Sequence, residues 1–208
     1  MVRTGKISGE DFRRAKVLKV VSKQGVGVNN MDLAAAKACG ITVCNTPGIN
    51  REAVADMALG MALSLSRRIT EFDRMIRSGQ AFNRNQFMGL EMWGKTIGII
   101  GMGRVGRAFA AKARGFDMDV HYYNRSELSA DLAQGATYHS TVESLLGVAD
   151  FLSLNCPATP ETTDLMNTES FAMLPSGAVI VNTARGALID EDALMAAGRK
   201  RLRPIIMT

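Results

Sequence analysis

The sequence predicts an α/β fold whose central feature is a doubly wound parallel sheet. Two observations support this prediction. Strand-like and helix-like segments alternate along the 208 residues, which is typical of parallel sheets covered by helices. An apolar strand that ends at Ile100 also leads directly into a glycine turn and a helix. The hydrophobic content of 47% is enough for a sizeable core.

The first fifty residues predict a small unit of alternating helices and strands. Residues 8–15 form a short helix with Ser8 as a possible cap, and residues 17–22 form a strand. Asp32 caps an alanine-rich helix that ends before a second strand at residues 41–45. The loop after the first strand therefore lies where open α/β sheets bind ligands.

The middle of the chain predicts two helices and a connection. Residues 52–66 form a long helix that is apolar on almost every face, so we expect it to be buried. It can bridge domains or pack against a partner chain. A helix with charges on one side follows at residues 69–78, and residues 80–92 form a polar connection.

The glycine pattern of Gly101, Gly103 and Gly106 is typical of dinucleotide binding. Its first glycine permits a tight turn, its second lets the backbone approach a pyrophosphate, and its third lets the helix pack closely on the strand. A second strand at residues 118–123 completes a βαβ unit. An ordinary turn between a strand and a helix is the alternative interpretation.

The residues after that second strand favour NADP(H) over NAD(H). NAD sites place an acid there to accept the ribose 2′-hydroxyl, whereas this chain has Asn124, Arg125 and Ser126. A guanidinium can pair with a 2′-phosphate, and the neighbouring side chains can donate hydrogen bonds. Two alternatives stay open: a shift in register brings Glu127 to the ribose, or Arg125 is an ordinary surface arginine.

Further alternation follows the glycine unit. We expect a helix at residues 141–146, a buried strand at 151–155, a loop with two prolines, and a helix at 168–173. A strongly β segment at residues 178–183 precedes a helix capped by Asp190.

Composition narrows the class of protein. The formal charge is +5, and four of these charges come from Arg199, Lys200, Arg201 and Arg203. Nothing aromatic or helical beside them indicates nucleic acid or membrane binding. The three cysteines show no metal-ligand spacing, so no metal is expected. Their odd number indicates a reducing compartment rather than a set of disulfides. Without an apolar leader after Met1, we expect a cytoplasmic protein.

Four motifs in order resemble the D-isomer-specific 2-hydroxyacid dehydrogenases. They are Gly25-Val26-Gly27-Val28-Asn29-Asn30-Met31-Asp32, Asn45-Thr46-Pro47-Gly48, Asn155-Cys156-Pro157-Ala158-Thr159 and Val181-Asn182-Thr183-Ala184-Arg185-Gly186. Residues 123–126 are most similar to the glyoxylate/hydroxypyruvate reductase branch, which tends to use NADPH. The resemblance implies an enzyme that reduces a small 2-oxo acid and forms a homodimer when intact.

The resemblance also implies a division of the chain. Residues 1–48 would be part of a flavodoxin-like substrate domain, and residues 49–92 would be linking helices and an inter-domain connection. Residues 93–198 would be a Rossmann-like NADP(H)-binding domain, and residues 199–208 a tail outside the family pattern.

The resemblance assigns site residues one by one. Arg185 would bind the substrate carboxylate and polarise the carbonyl, although a structural salt bridge is the alternative. Backbone N–H groups of Val26 and Gly27 would also hold the carboxylate, although these residues are equally well explained as part of a turn. Cofactor contacts would come from the glycines and residues after the strands: Gly101, Gly103, Arg104, Val105, Gly106, Asn124, Arg125, Ser126, Cys156, Pro157, Thr183 and Ala184. Cys156 can equally be a small core residue.

The chain departs from the family pattern in several places. Asn29 and Asp56 stand where the family usually has an aspartate and a glutamate. His121 and His139 match neither the histidine nor the glutamate that complete the family's proton transfer. We therefore expect a fragment truncated at both ends with impaired activity. A non-catalytic NADP-binding or dimerisation remnant is one alternative, and a reductase that uses a lysine is another.

Overall fold

The computed structural model of the chain describes residues 2, 5–79 and 88–198, together with the backbone of 203–206. It divides into two compact units, Met1–Arg51 and Glu52–Thr208. The predicted connection at residues 80–92 and the predicted tail at 199–208 lie largely outside the described residues.

The first unit contains two helices and a two-stranded parallel sheet. In chain order it has α1 (Gly9–Arg14), β1 (Val20–Ser22), α2 (Leu33–Ala38) and β2 (Thr42–Cys44). Ser8 caps α1 through a reciprocal pair of hydrogen bonds with Asp11, and Asp32 caps α2 by accepting from the Ala35 N–H. These helices and strands agree with the predicted segments, although β1 begins only at Val20.

The second unit begins with α3 (Arg51–Ser66) and α4 (Ile69–Arg77). The buried stripe of α3 consists of small side chains, namely Ala55, Ala58, Ala62 and Ser66. Met57 on another face is 48% exposed. Leu59, Met61, Leu63 and Leu65 are only partly buried against the same core cluster. The expectation that α3 is buried is therefore wrong for the face of the single chain that carries Met57.

Six parallel strands form the sheet of the second unit in the order β5-β4-β3-β6-β7-β8. The elements after α4 are β3 (Thr96–Ile100), α5 (Arg104–Arg114), β4 (Asp119–Tyr123), α6 (Ala130–Ala133), β5 (Thr137–His139), α7 (Val142–Leu146), β6 (Phe151–Leu154), α8 (Thr168–Met173), β7 (Val179–Asn182), α9 (Glu191–Gly198) and β8 (Arg203–Ile206). Successive strands run outward from β3 in one direction and from β6 in the other. The predicted doubly wound sheet is thus confirmed, with a switch point between β3 and β6.

Helices cover both faces of this sheet. Alternate residues of the strands divide between two buried clusters, one of which includes α3 and α5 and the other α7, α8 and α9. On the first face, Lys112 of α5 lies 2.9 Å from Asp56 and 3.2 Å from Glu52 of α3. These ion pairs join the two helices, so Asp56 has a structural partner.

Several described elements of the second unit have no counterpart in the sequence prediction. They are α6, β5, β8 and a 3₁₀ helix at Gly186–Leu188, and each is short or lies at an edge of the sheet. Pro204 in β8 suits an edge strand, because proline cannot donate a hydrogen bond to a further neighbour. No helix among the described ranges is both long and apolar enough to cross a membrane.

Candidate functional site

The glycine turn after β3 has the stereochemistry that the sequence predicts. Gly101 adopts φ +96°, and a Cβ at this position would lie 2.7 Å from the backbone of Cys156. A Cβ on Gly106 would overlap the carbonyl oxygen of Gly101. These two glycines therefore allow β3, the loop after β6 and α5 to pack at close range.

Gly103 differs from the other two glycines of the turn. It is exposed, its φ is −78°, and a Cβ there would meet no atom within 4 Å. Neither strain nor crowding within the chain requires glycine here, so the open space above it is available to a ligand. Arg104 and Val105 form the first turn of α5, whose N–H groups face that space.

The residues after β4 lie next to this turn. The Oδ1 atom of Asn124 accepts a 2.8 Å hydrogen bond from the N–H of Met102. Arg125 and Ser126 follow and are exposed. The pKa of Glu161 is lowered by hydrogen bonds from the Thr159 side chain and from the backbone of Glu161 itself, and the charge of Arg125 lowers it further. A carboxylate is therefore close enough to interact with the Arg125 guanidinium.

The loop after β6 forms the next part of the same sheet edge. Asn155 donates its backbone N–H to the carbonyl of Ile100, which joins the start of this loop to the end of β3. Cys156 is half-buried against the second core cluster, and burial raises the pKa of its thiol. The thiol therefore stays protonated and lines the loop as a small apolar group, while Pro157 is exposed.

The loop after β7 carries the predicted nicotinamide and substrate residues. The hydroxyl of Thr183 is buried and has no hydrogen-bond partner among the described residues. Arg185 is exposed, and its Nη1 donates to the carbonyl of Ala184 at 2.7 Å. No acidic side chain lies within ion-pair distance of Arg185 in the described parts of the chain, so the alternative of a structural salt bridge has no support.

Parallel strands bring most of the predicted residues to one edge of the sheet. Those after β3, β4, β6 and β7 all follow the carboxyl ends of neighbouring strands. The predicted set at this edge is Gly101, Gly103, Arg104, Val105, Gly106, Asn124, Arg125, Ser126, Cys156, Pro157, Thr183, Ala184 and Arg185. Ligands of doubly wound sheets bind at this edge.

Val26 and Gly27 lie in the first unit, in the turn after β1. Gly25 adopts φ +110°, and its N–H donates to the Thr46 hydroxyl at 3.0 Å. Asn45 donates its side-chain amide to the carbonyl of Val26 at 2.8 Å. The N–H groups of Val26 and Gly27 donate to no acceptor within the described residues. Two free adjacent N–H groups can bind an anion.

Asn182 is a site residue that sequence reasoning missed. Its side chain is completely buried at the end of β7, and it bonds to the loop that carries Arg185. The sequence signal for such a residue was an amide at the end of an otherwise apolar strand. A polar side chain buried there needs specific hydrogen-bond partners.

The two histidines form a separate cluster. His121 Nδ1 and His139 Nε2 are 2.8 Å apart, and the outer nitrogens contact Asp119 and Ser144. Within the described residues, no three histidine, cysteine or acidic side chains come together as metal ligands. The histidines lie on β4 and β5, three and four strand positions away from β7.

The residues at the edge suit a dinucleotide. No described atom lies within 4 Å of a Cβ added at Gly103, which leaves room for a phosphate to approach the backbone. The buried Thr183 hydroxyl has no hydrogen-bond partner within the described residues, and a nicotinamide amide could supply one. The chain's own residues therefore fit such a cofactor.

Comparisons with known proteins agree with this geometry. A family profile described as "D-isomer specific 2-hydroxyacid dehydrogenase, NAD binding domain" matches residues 59–203. The glyoxylate reductase of Thermococcus litoralis is 38% identical over 201 residues, which is 93% of this chain and 60% of that protein. The glycerate dehydrogenase of Hyphomicrobium methylovorum is 40% identical over 184 residues, which is 86% of this chain and 57% of that protein.

Solved structures show the same fold. A D-isomer specific 2-hydroxyacid dehydrogenase from a Polaromonas species superposes with a TM-score of 0.90 and 40% identity. The match covers 97% of this chain and 65% of that one. The chain thus spans about 60% of the length of the curated relatives described above.

Proposed function

We propose that this chain, which belongs to the D-isomer-specific 2-hydroxyacid dehydrogenase family and carries its nicotinamide cofactor domain, binds NADP(H) in preference to NAD(H). We further propose that the whole protein reduces a small 2-oxo acid such as glyoxylate or hydroxypyruvate. The relatives named glyoxylate reductase and glycerate dehydrogenase support this substrate class.

The open space at Gly103 is the observation that supports the cofactor proposal most directly. Gly103 stands between two sterically constrained glycines, yet no atom of the described residues lies within 4 Å of the place where its Cβ would be. A pyrophosphate in that space would accept hydrogen bonds from the first turn of α5.

The preference for NADP(H) rests on the residues after β4. Arg125 and Ser126 are exposed next to the glycine turn, and the residue that ends the strand region is the neutral Asn124. An acid at that place would repel a 2′-phosphate, whereas a guanidinium pairs with it. We assign the adenine side to Cys156 and Pro157 and the nicotinamide side to Thr183 and Ala184.

Arg185 is the proposed substrate-binding and catalytic residue. Its exposed guanidinium follows the buried strand β7 at the cofactor edge, where it can pair with a carboxylate and stabilise negative charge that develops on the carbonyl oxygen. The free N–H groups of Val26 and Gly27 are proposed to bind the same class of carboxylate. Bound NADPH supplies the hydride.

The chain as given lacks a histidine placed to protonate the product. Adjacent strands are about 4.8 Å apart, so His121 on β4 lies roughly 14 Å across the sheet from β7, three strand positions away. We propose that the chain alone binds the cofactor and reduces 2-oxo acids slowly.

The cytoplasmic location of the protein also stays a prediction.

A non-catalytic role is the second candidate. Helix α3 exposes the apolar side chain of Met57, and exposed apolar surface can form part of a dimer interface. In that case the chain would bind NADP(H) and pair with a second copy without turnover. Cofactor titration combined with a glyoxylate reduction assay separates the two candidates.

The glycine turn offers a direct test. Gly103→Ala adds only a methyl group to open space, so the variant should fold normally but lose at least about tenfold in NADPH affinity, or about 1.4 kcal/mol. Gly147→Ala is the matched control, because Gly147 has helical dihedrals and its added Cβ would make an ordinary 3.8 Å contact. NADPH fluorescence titration and thermal melting measure both properties. Unchanged NADPH binding by Gly103→Ala contradicts the proposed pyrophosphate site.

A further inference from the structure

Asn182 has an unusual environment for an amide. Its side chain is 0% exposed at the end of β7, where the three preceding residues, Val179 to Val181, are buried and apolar. Burying an amide is costly unless its donor and acceptor groups both find partners. The partners of Asn182 therefore indicate what this side chain does.

Both polar groups of the Asn182 side chain form hydrogen bonds with the loop that carries Arg185. The Oδ1 atom accepts from the N–H of Ala184 at 2.9 Å, and the Nδ2 group donates to the carbonyl of Arg185 at 2.8 Å. These bonds fix the peptide group before Ala184 and the one after Arg185 relative to the rigid end of β7.

A third hydrogen bond links this loop to the guanidinium. Arg185 Nη1 donates to the Ala184 carbonyl at 2.7 Å, while the backbone of Arg185 is extended with φ −146° and ψ 139°. A 3₁₀ turn, Gly186–Leu188, begins immediately afterwards. The direction in which Arg185 leaves the sheet thus depends on bonds that Asn182 anchors.

We propose that Asn182 is a positioning residue that holds the loop of residues 183–185, and with it the guanidinium of Arg185, at the cofactor edge of the sheet. This inference rests on the proposed function of Arg185. Loss of the anchor would leave the glycine turn intact, because that turn belongs to β3 and α5.

The position requires one donor and one acceptor. An aspartate keeps the acceptor for the Ala184 N–H, but when ionised it directs a second oxygen at the Arg185 carbonyl, and the two repel. Protonation restores a donor at that atom. Because burial raises the pKa of a carboxyl group, Asn182→Asp should regain the native bonds when the pH falls.

The test compares the chain with Asn182→Asp and with a control, Asn167→Asp. Asn167 caps α8 by accepting from the Ser170 N–H, and aspartate performs this role equally well. Backbone order parameters from ¹⁵N NMR are measured without ligand at pH 5 and pH 8. Affinity for NADPH and for oxalate in the presence of NADP⁺ is measured in parallel.

In Asn182→Asp we expect the order parameters of Ala184 and Arg185 to fall at pH 8 from about 0.85 to below about 0.6 and to recover at pH 5. Oxalate affinity should fall at least about tenfold at pH 8, while NADPH affinity changes less than about threefold. The unsubstituted chain and Asn167→Asp should show neither change. Because burial can keep this aspartate protonated at pH 8, native loop order at that pH overturns the inference when the ¹³C chemical shift of the carboxyl carbon shows that the aspartate is ionised.

Asn182→Ser is a second variant that tests the same inference if Asn182→Asp unfolds at pH 8. Serine is uncharged and too short to bond both peptide groups, so the loss of order should be the same at both pH values. Native order in Asn182→Ser also overturns the inference. Absence of NADPH binding by the unsubstituted chain would instead contradict the proposed function, and the ligand-free order parameters would still decide the role of Asn182.

Discussion

The side-chain oxygen of Asn124 accepts a 2.8 Å hydrogen bond from the backbone N–H of Met102. This bond joins the end of β4 to the glycine turn after β3. It also commits Oδ1, so only the Nδ2 group of Asn124 is left to donate to a ribose or its 2′-phosphate. One residue therefore holds the turn and, in the proposed cofactor site, would lie beside the ribose that carries the 2′-phosphate of NADP.

Asn124→Asp should reverse the cofactor preference. The aspartate keeps an oxygen for the Met102 N–H, but its charge repels a 2′-phosphate and its second oxygen can accept from a ribose hydroxyl. We expect NADPH affinity to fall at least about tenfold and NADH affinity to rise. Asn124→Ala, which removes the bond to the turn, should weaken both cofactors alike. Fluorescence titrations with both cofactors distinguish these outcomes, and unchanged NADPH affinity in the aspartate variant contradicts the assignment.

Arg125→Ala should remove the preference for NADPH. Without the guanidinium, NADPH loses a charge-assisted pair that NADH does not make, so we expect at least about a tenfold loss for NADPH alone. Arg77→Ala is a suitable control, because Arg77 is exposed on α4 and pairs with Asp73. If the ratio of the two dissociation constants is the same in Arg125→Ala as in the unsubstituted chain, Arg125 is only a surface residue.

Glu161→Gln should strengthen NADPH binding. Hydrogen bonds from Thr159 and from the Glu161 backbone are the main causes of the lowered pKa of Glu161, and the charge of Arg125 adds to them. If the two charges attract each other, this carboxylate should compete with a 2′-phosphate for the guanidinium. Because both groups are exposed, we expect only about a two- to fivefold gain. The gain should disappear when Glu161→Gln is combined with Arg125→Ala. An equal gain in both backgrounds would show that Glu161 acts through another group.

The chain as given should reduce glyoxylate slowly. Loss of a general acid commonly costs about 10²–10⁴-fold in rate, and both histidines of this chain are engaged with each other away from β7. An NADPH oxidation assay beside the Thermococcus litoralis enzyme measures the difference. His121→Gln and His139→Gln should leave the residual rate unchanged, and a strong loss in either variant would assign that histidine to the reaction.

The glycine turn and the alternation of elements could be predicted because each depends on local stereochemistry or short-range periodicity. Gly101 has a positive φ, and the residues that lead to Asn182, Ala178 to Val181, form an uninterrupted apolar segment. Helix α3 was predicted to be buried because hydrophobicity alone does not show that its alanines are fully buried, whereas larger residues such as Leu59 pack only in part and Met57 is exposed. Short edge strands such as β5 lack periodicity, since three residues are too few to establish a pattern.

The role of Asn182 could not be predicted for a different reason. Its partners are backbone groups two and three residues away, and only the turn after β7 brings them within reach. The same holds for Asn124, whose bond to Met102 spans 22 residues. In both cases the sequence indicates a polar side chain at the end of a strand, but the folded backbone determines which groups it bonds.

His139 should make the fold less stable as the pH falls. Burial lowers its pKa below the usual value, and the neighbouring His121 lowers it further. The unfolded chain therefore takes up a proton near pH 6.5 that the folded chain resists, so stability is full above that pH and declines as the pH drops towards the folded pKa. The lowered pKa values of Asp11 and Glu161 keep those carboxylates ionised throughout this window.

Thermal melting between pH 7.5 and pH 5 measures this effect. His139→Gln should flatten the decline in Tm, because the titrating ring is gone. His121→Gln removes only the smaller of the two causes of the lowered His139 pKa, the charge of His121. Most of the decline in Tm should therefore persist. A decline in His139→Gln as steep as in the unsubstituted chain would mean that burial of this ring does not oppose its protonation.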